Sequence, residues 1–432
     1  MSILKYTLFT ILVILLLVMV LIGVLSVTRG ATVRTVMAEG NKGGPPQVSD
    51  PLFPRTIELF TGTHVEPGNK IELLLNGEGT YPVLWKDIAS AKKTITLQLY
   101  YSQPGAVADT MAKYLIDRAK NGVRVLVLLD AFGSQPLGKD WVEKLTDAGV
   151  EVAWLRPLKW YTLHKAAQRS HVRLVVVDGR VGYTGGFGLA DYWLGDGKHK
   201  DQWRESNVRF HGRTVAALQA AFASGWAETT GELLTGDVFF PPVAFEDEGN
   251  VTAGLMHSLP TIGSTPAERF IALTIAGARK TLYISNSYFV PNDDFCTLLI
   301  NQAKRGVDVR ILTVGSETDV KSTWYAGRAV YERLLEGGVK IYEYKPTMMH
   351  AKTIVVDGLW SSVGSMNFDN RSIAFNNESQ IVALDAGVGA QMNEIFMEDL
   401  KYSDEIKLEA FRKRPWTGKV MEWGATKLRR VL

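Results

Sequence analysis

The sequence predicts an α/β protein built from two similar domains in tandem, with an apolar helix ahead of them. Three observations support this prediction: a histidine motif that occurs twice, flanking segments that repeat at a nearly constant spacing, and a long apolar run at the N-terminus. The chain has 432 residues, of which 46% are hydrophobic, so it is long enough for two ordinary domains with their own cores.

The second copy of the motif has the spacing H-x-K-x4-D-x6-G-S-x-N. His350 and Lys352 point to the same side of an extended strand, because alternate side chains share a face. β-Branched residues continue the strand to Asp357, which predicts a turn, and a returning strand would bring Ser365 and Asn367 to the same edge. An imidazole beside a cation suits phosphodiester cleavage, which needs a nucleophile, a proton donor and fixed positive charge.

The first copy keeps the offsets but departs from the second at three positions. His171 and Asp178 stand where expected, whereas Arg173 replaces the lysine, and Gly186 and Gly188 replace the serine and the asparagine. Arginine keeps the charge and offers a planar group that suits phosphate, but it is bulkier than lysine. Three outcomes are therefore open for this half: slower turnover, a shifted substrate, or loss of catalytic activity.

The segments around the motifs also repeat. Residues 93–97 recur as 280–284, and residues 119–125 recur as 303–309. His171 and His350 are separated by nearly the same interval as these segments, and this steady offset indicates an internal duplication. In each repeat, predicted strands alternate with predicted helices, a pattern typical of a sheet covered by helices.

The second motif resembles, at every signature position, the HKD motif of the phospholipase D superfamily, whose members cleave or transfer phosphodiesters through a histidine nucleophile. The resemblance implies two phospholipase D-type α/β sandwich domains, 69–240 and 241–400, that face each other across a pseudo-two-fold axis. Residues 184–191 and 287–291 resemble the TGGFNIAD and PYFVP segments of bacterial cardiolipin synthases.

The resemblance also implies roles for individual residues. His171 would be the nucleophile that forms a phosphohistidine and His350 the proton donor, although the sequence alone does not order the two. Lys352, Ser365 and Asn367 would bind the phosphoryl oxygens. The catalytic candidates are His171, Arg173, Asp178, His350, Lys352 and Asp357, and the substrate-binding candidates are Gly186, Ser365, Asn367, Glu205 and Glu378.

Members of this superfamily carry a carboxylate after each motif that orients the histidine. Glu378 fits this role after His350, and Glu205 is the candidate after His171. The interval is longer in the first half, and an insertion at residues 195–200 accounts for the difference. For Glu205, a surface carboxylate in a strand flanked by loops is the alternative.

The sequence predicts neither a cofactor nor a metal. Cys296 is the single cysteine, which excludes an internal disulfide. The sequence contains no CxxC, HExxH or EF-hand pattern and no carboxylate cluster of the kind that holds Mg²⁺ or Zn²⁺. The net charge of +3 decides little by itself.

The N-terminus predicts a transmembrane anchor over residues 1–29. Residues 7–27 are almost uninterrupted apolar side chains, long enough to cross a bilayer. A cleaved signal peptide is the alternative, but its apolar region is normally shorter. More basic residues follow the span than precede it, which favours a cytoplasmic catalytic region at the inner cell membrane.

Two further segments complete the predicted organisation. Residues 30–68 are rich in proline and glycine with little periodicity, which predicts a linker. Residues 401–432 form a basic tail, with seven Lys or Arg against one Glu from 411 onward and with Trp416 and Trp423. This composition suits an anionic headgroup surface, or alternatively a solvated basic face with aromatic packing.

Together with these observations, the resemblance implies a membrane-anchored phosphatidyltransferase of phospholipase D type that makes cardiolipin from phosphatidylglycerol. A hydrolytic phospholipase D, an anchored nuclease of the same fold and a lipid-binding pseudoenzyme are the alternatives. No nucleic-acid partner is expected, because the basic residues are scattered or lie in the tail, whereas a nuclease needs a basic groove with stacking aromatics. The acceptor alcohol and the oligomeric state stay open.

Overall fold

The computed structural model describes residues 2–27, 33–39, 44–160, 167–242, 247–261, 263–427 and 429. The ends of the predicted anchor and of the predicted basic tail, 28–29 and 430–432, lie outside these residues. The helices are α1 (Ser2–Val27), α2 (Leu52–Thr61), α3 (Asn76–Ser90), α4 (Ala106–Lys120), α5 (Gly138–Thr146), α6 (Thr214–Thr230), α7 (Pro266–Gly277), α8 (Asp293–Lys304), α9 (Lys321–Arg328), α10 (Tyr331–Glu336), α11 (Asn370–Ala374), α12 (Ala386–Leu400), α13 (Leu408–Arg412) and α14 (Trp416–Thr426).

The strands form one continuous mixed sheet. They are β1 (Glu66–Leu75), β2 (Thr94–Leu99), β3 (Arg124–Asp130), β4 (Glu151–Leu155), β5 (Leu174–Val177), β6 (Val181–Gly185), β7 (Ser206–His211), β8 (Val251–Ser258), β9 (Thr281–Asn286), β10 (Asp308–Val314), β11 (Lys340–Tyr344), β12 (Lys352–Val356), β13 (Trp360–Gly364), β14 (Glu378–Leu384) and β15 (Ser403–Glu405). Their order across the sheet is β15-β11-β10-β9-β12-β13-β14-β8-β1-β7-β6-β5-β2-β3-β4.

The sheet order repeats in the two halves of the chain. Read outward from the antiparallel pair β1–β8, the first half runs β1-β7-β6-β5-β2-β3-β4 and the second runs β8-β14-β13-β12-β9-β10-β11. Each strand of the first half thus has a counterpart at the same position in the second. The shared order agrees with the duplication predicted from the repeated segments, and the fold is mixed α/β as expected.

Three apolar clusters hold this sheet to its helices. One belongs to the first half and includes Leu97, Leu115 and Tyr183, and another belongs to the second half and includes Ile284 and Trp360. A third cluster draws on both halves, with buried side chains from Val176, Phe222, Val355, Val363 and Ile381 among others. The two halves are therefore joined by a shared core as well as by the β1–β8 pairing, which fixes the position of one half against the other.

The two histidine motifs lie on matching hairpins. β5 pairs antiparallel with β6, and β12 pairs antiparallel with β13, as the motif predicted. Asp178 and Asp357 begin the connecting turns, each with a φ of 53° and each followed by a glycine that also has a positive φ. Aspartate and glycine both tolerate this left-handed backbone, which explains the Asp-Gly pair at each turn.

The segment predicted as a linker contains regular structure. Within residues 30–68, α2 buries Phe53 and Ile57 in the core of the second half, and β1 begins at Glu66. The linker prediction relied on prolines, but Pro51 and Pro54 lie at or within the first turn of α2. A proline there removes no hydrogen bond of the helix, because the N–H groups of the first turn have no partner within the helix.

The segment predicted as a basic tail is also packed. β15 pairs with β11. Arg412 and Arg414 both form ion pairs with Glu332 of α10. Arg414 forms a further ion pair with Glu422 of α14. Much of its positive charge is therefore neutralised within the protein.

The side chains of α1 are described from Lys5 to Leu21. Within the described part of the chain, no helix combines the length and the apolar character needed to cross a membrane, so the predicted anchor is not supported.

Candidate active site

A cavity of about 530 Å³ contains side chains from both motifs. It lies where the two halves meet, and both histidines line it. Its other lining residues are Tyr100, Tyr101, Phe132, Arg173, Tyr192, Trp193, Trp203, Tyr288, Asp319, Val320, Thr323, Asn367, Asp369, Arg371, Ser372 and Asn376. The two halves thus supply one site, as the duplicated motif predicted.

The carboxylates pair with the histidines across the two halves. Nδ1 of His171 lies 3.0 Å from Oε1 and 3.1 Å from Oε2 of Glu378, and Nδ1 of His350 lies 2.5 Å from Oε2 of Glu205. Both carboxylates are fully buried. Each carboxylate therefore orients the histidine of the other motif and leaves its Nε2 for chemistry, whereas the sequence pointed to a carboxylate of the same motif.

The backbone supports the same crossed arrangement. The N–H of His171 donates to the C=O of Asn377 at 2.9 Å, and the N–H of His350 donates to the C=O of Arg204 at 2.7 Å. Each acceptor directly precedes the carboxylate that binds the same histidine. These backbone hydrogen bonds therefore place each histidine next to the carboxylate of the other half that binds it.

Burial lowers the pKa of both histidines. It is the largest cause of the shift of the His171 pKa to about 4, with the positive charge of Arg173 acting in the same direction. The pKa of His350 is held well below its ordinary value by burial and by the nearby Lys352 and Arg173. A neutral imidazole, which a nucleophile requires, is therefore the favoured form of His171 at neutral pH.

The two carboxylates differ in their pKa shifts. Burial raises the pKa of Glu205, and the hydrogen bond from the N–H of Ser206 does not offset this. Burial acts on Glu378 too, but His171 and the hydroxyl of Ser365, which donates to Oε2 at 2.6 Å, hold its pKa below the ordinary value. Glu378 is therefore the carboxylate that ionises more readily.

The cations of the two motifs occupy related positions. Nη1 of Arg173 donates to the C=O of His171 at 3.3 Å, and Nζ of Lys352 donates to the C=O of His350. Arg173 lines the cavity, whereas Lys352 is fully buried beside Ser287, whose Oγ lies 2.7 Å from Nζ. Burial lowers the pKa of Arg173 and brings that of Lys352 to about 7.

The structure explains the two glycines of the first motif. A Cβ on Gly186 would lie 2.2 Å from Oε2 of Glu205, and a Cβ on Gly188 would lie 2.7 Å from ring atoms of Trp193 and from the C=O of Tyr101. Nε1 of Trp193 in turn lies 3.3 Å from Oε2 of Glu205. Gly186, predicted to bind substrate, instead makes room for the carboxylate.

The serine and the asparagine of the second motif have different surroundings. Ser365 has no exposed surface and donates its hydroxyl to Glu378, so it contacts the carboxylate and not the cavity. Asn367 lines the cavity, and its Oδ1 has no hydrogen-bond partner among the described residues. Of these two phosphoryl-binding candidates, Asn367 alone is placed to meet a substrate directly.

The two aspartates predicted as catalytic lie away from the cavity. Asp178 accepts backbone hydrogen bonds from residues 92–94, and Asp357 accepts them from residues 279–281, at distances from 2.7 to 3.3 Å. Each stands at the far end of the strand from its histidine, roughly 20 Å along the backbone. Both aspartates anchor the hairpin turn to the neighbouring strand, and neither lines the cavity as the catalytic prediction required.

Sequence reasoning missed several cavity residues. Tyr288 donates to both carboxylate oxygens of Asp319 at 2.8 Å, and Tyr100 lies edge-on to His171 with ring centroids 5.0 Å apart. The guanidinium of Arg371 also lines the cavity, and it makes no ion pair or hydrogen bond with the described residues. Arg371 stands four residues after Asn367, so extending the motif along the chain could have found it, but nothing in the motif points to Asp319.

Across the described ranges, no group of three or more His, Cys, Asp or Glu side chains is arranged to hold a metal ion. The two histidines of the cavity are paired with Glu378 and Glu205.

Comparison with known proteins agrees with this geometry. The family described as "Cardiolipin synthase, PLD-like domain" matches residues 84–226 and 271–400. The chain is 33% identical to a cardiolipin synthase of Geobacillus kaustophilus over 84% of its own length and 72% of that protein. It is also 33% identical to cardiolipin synthase 2 of Bacillus anthracis, over 86% of its length and 72% of that protein.

A solved structure supports the fold independently. The crystal structure of a phosphatidylserine synthase from Haemophilus influenzae superposes on this chain with a TM-score of 0.66 and 14% sequence identity. The superposition covers 88% of this chain and 100% of the synthase chain. At this identity the likeness concerns the fold alone. The matched regions contain both histidines and both carboxylates, and the chain belongs to the cardiolipin synthase family of phospholipase D-like proteins.

Proposed function

We propose that this protein transfers a phosphatidyl group from one phosphatidylglycerol molecule to a hydroxyl of a second, forming cardiolipin and releasing glycerol. The observation that carries the proposal is the pair of histidines in one cavity, each bound at Nδ1 by a buried carboxylate of the opposite half. Membership of the cardiolipin synthase family supplies the reaction class.

The first step is attack by His171 on the phosphorus atom. Nδ1–H donates to Glu378, so the lone pair of Nε2 is free to form the N–P bond. The bond between phosphorus and the glycerol oxygen breaks, and Nε2 of His350 gives its proton to the departing oxygen. The products of this step are a phosphohistidine that carries the phosphatidyl group and a free glycerol.

The difference between the two carboxylates supports an order for the two histidines, which the sequence left open. Glu378, with its lowered pKa, stays ionised and accepts the Nδ1 proton of a neutral His171. Burial raises the pKa of Glu205, so the pair of Glu205 and His350 holds a proton more readily than the pair of Glu378 and His171, which suits His350 to protonate the leaving group. His171 is therefore the nucleophile and His350 the general acid.

The second step regenerates the enzyme. A hydroxyl of the second phosphatidylglycerol gives its proton to Nε2 of His350, and its oxygen attacks phosphorus. The N–P bond breaks, and the electron pair returns to His171. Arg173, which lines the cavity, offsets the charge on the phosphoryl oxygens in both steps, and Lys352 acts from behind His350.

The proposal extends to the arrangement of the chain and its location. We place the two halves on either side of a pseudo-two-fold axis, which the shared strand order and the crossed hydrogen bonds support. Since both proposed substrates are phospholipids, the protein would work at the cell membrane. The membrane side of its cavity remains the prediction made from the sequence.

One experiment tests the reaction and the division of labour together. Purified protein and phosphatidylglycerol vesicles should yield cardiolipin and glycerol in equal amounts by mass spectrometry, with no phosphatidic acid in excess. With a phosphatidyl substrate that has a good leaving group, His350→Ala should still form a labelled phosphohistidine, whereas His171→Ala should form none, because such a leaving group needs no proton.

Other products would overturn the proposal in distinct ways. Phosphatidic acid as the main product would show that water is the acceptor. A label trapped in His171→Ala but never in His350→Ala would reverse the two roles. Cleavage of single-stranded DNA without any lipid product would identify a nuclease.

A further inference from the structure

Helix α14 exposes an unusual number of large apolar side chains for its length. Trp416, Val420, Met421 and Trp423 have 74%, 53%, 54% and 65% of their surface exposed. Trp416, Val420 and Trp423 are spaced four and three residues apart, so they lie on one face of the helix. An apolar stripe of this kind, left in water, has an unfavourable free energy that a partner would remove.

The opposite face of α14 is firmly attached to the protein. Glu422 and Ala425 are buried, and Glu422 forms ion pairs with Arg414 at 2.7 Å and with Arg328 of α9 at 3.4 Å. Ala425 packs in a small cluster with Ala326 of α9. The exposed stripe is therefore held outward by a fixed contact.

Basic side chains accompany this stripe. Lys413, Lys419 and Lys427 flank it, and the ammonium group of Lys427 lies 5.1 Å from the ring centroid of Trp423. Tryptophan and lysine together are typical of helices that lie in the interface of a bilayer containing anionic lipids. With 11 residues, α14 is too short to cross a bilayer and can only lie on it.

The helix is next to the active-site cavity. α9, which α14 packs against, begins one residue after Val320, and both Val320 and Thr323 line the cavity. Arg429, just past α14, donates to the C=O of Pro291 at 2.6 Å, three residues after the cavity residue Tyr288. A surface bound by α14 is therefore connected to the cavity wall through one packed helix, α9.

We propose that the exposed face of α14 docks the protein on the surface of a bilayer that contains anionic phospholipids and so brings the cavity beside its lipid substrates. This inference rests on the proposed function for its purpose, but the docking can be measured without any reaction. The exposed cavity residues Phe132 and Val320, with 57% and 36% of their surface exposed, mark the rim that a lipid would pass.

The test compares three variants of the full chain with the wild type. The first is Trp416→Ser with Trp423→Ser, which removes the aromatic face. The second is Trp416→Phe with Trp423→Phe, which keeps it apolar. The third is Leu59→Ser, a matched control at a side chain that is 76% exposed and lies on α2, a helix that packs on α7.

Two measurements separate docking from catalysis. The first is the rate of cardiolipin formation from phosphatidylglycerol vesicles and from short-chain phosphatidylglycerol that is monomeric in solution. The second is quenching of tryptophan fluorescence by vesicles of brominated phosphatidylglycerol. The serine variant should lose about tenfold or more of the vesicle rate, the scale expected when two aromatic contacts with lipid are lost, and keep its rate on the monomeric substrate.

The two remaining variants test whether the effect depends on the apolar face and on these two tryptophans. The phenylalanine variant should keep the vesicle rate but lose part of the quenching, which assigns the lipid contact to these two tryptophans. Leu59→Ser should match the wild type in both measurements. If the protein makes no cardiolipin from either substrate, the proposed function fails, while the quenching still decides whether α14 contacts lipid.

Three outcomes would overturn the docking proposal. Equal loss of the vesicle and monomer rates in the serine variant would show a defect of the cavity. Unchanged quenching in the phenylalanine variant would show that other tryptophans contact the lipid. Self-association that the serine variant abolishes, without lipid quenching of the wild type, would show that this face joins two copies of the chain.

Discussion

The cationic side chains of the two motifs, Arg173 and Lys352, have different surroundings. Arg173 reaches the cavity, while Lys352 is fully buried behind His350. Nε of Arg173 is buried and has no hydrogen-bond partner among the described residues. The departure from lysine in the first motif therefore places an arginine side chain at the cavity wall.

A first prediction follows for Arg173. Arg173→Ala should raise the transition-state free energy by about 2–4 kcal/mol, the scale for losing one charged contact to the phosphoryl group, and Arg173→Lys should keep or raise turnover. The measurement is kcat/KM on monomeric phosphatidylglycerol, with Lys352→Ala as the matched variant. If Arg173→Ala is silent while Lys352→Ala is inactive, the first motif does not contact the phosphate.

A second prediction concerns pH. Lys352 acts as a cation, and its pKa of about 7 means that this charge is lost as the pH rises through 7. His171 acts as a neutral nucleophile, and with a pKa of about 4 it loses this form as the pH falls through 4. kcat/KM should therefore fall on both sides of a range between these values.

Lys352→Arg provides the control for this assignment, because a guanidinium stays charged well above neutral pH. The variant should lose the alkaline fall and keep the acidic one. An alkaline fall that is unchanged in Lys352→Arg would assign it to a different group.

At the scale of single elements, much of the fold follows from local sequence. β-Branched runs and Asp-Gly turns predicted the hairpins β5–β6 and β12–β13, and the structure has both. α2 was missed because Pro51 and Pro54, at its start, were interpreted as signs of a linker. β15 was missed because three polar residues become a strand only through pairing with β11.

The turn aspartates give a third prediction. Asp357→Ala should lower the free energy of unfolding by about 2–4 kcal/mol, because three backbone N–H groups lose an acceptor and alanine tolerates the positive φ poorly. Asp357→Asn should lose less, since asparagine keeps one oxygen and accepts this backbone. Urea unfolding measures both effects, and Asp178→Ala is the matched variant in the other half.

This prediction also tests the role of the aspartate in the motif. The folded fraction of Asp357→Ala should keep its kcat, because Asp357 does not line the cavity. A variant with unchanged stability and no activity would restore the catalytic interpretation made from the sequence.

At the scale of the whole molecule, the site depends on how the halves dock. The steady offset of the repeats was enough to predict two halves and a shared site. The crossed pairs of His171 with Glu378 and His350 with Glu205 could not be read from spacing, because each pair joins residues far apart in the chain across an interface. The protonation of each pair follows from buried neighbours that only the folded protein brings together.

The last prediction concerns metal dependence. In the proposed mechanism, two histidines and two carboxylates supply the nucleophile, the general acid and their orientation, and Arg173 and Lys352 supply positive charge for the phosphoryl oxygens. These are the tasks that a divalent ion performs in metal-dependent phosphodiester chemistry. We therefore expect the rate of cardiolipin formation to be the same, within error, before and after dialysis against EDTA.

The control is a vesicle assay in which EDTA is present from the start, since divalent ions also bridge anionic lipids and change the surface that the protein meets. Complete loss of activity on the monomeric substrate, restored by a single divalent ion, would show that the charge supplied by the two halves is not sufficient for phosphoryl transfer.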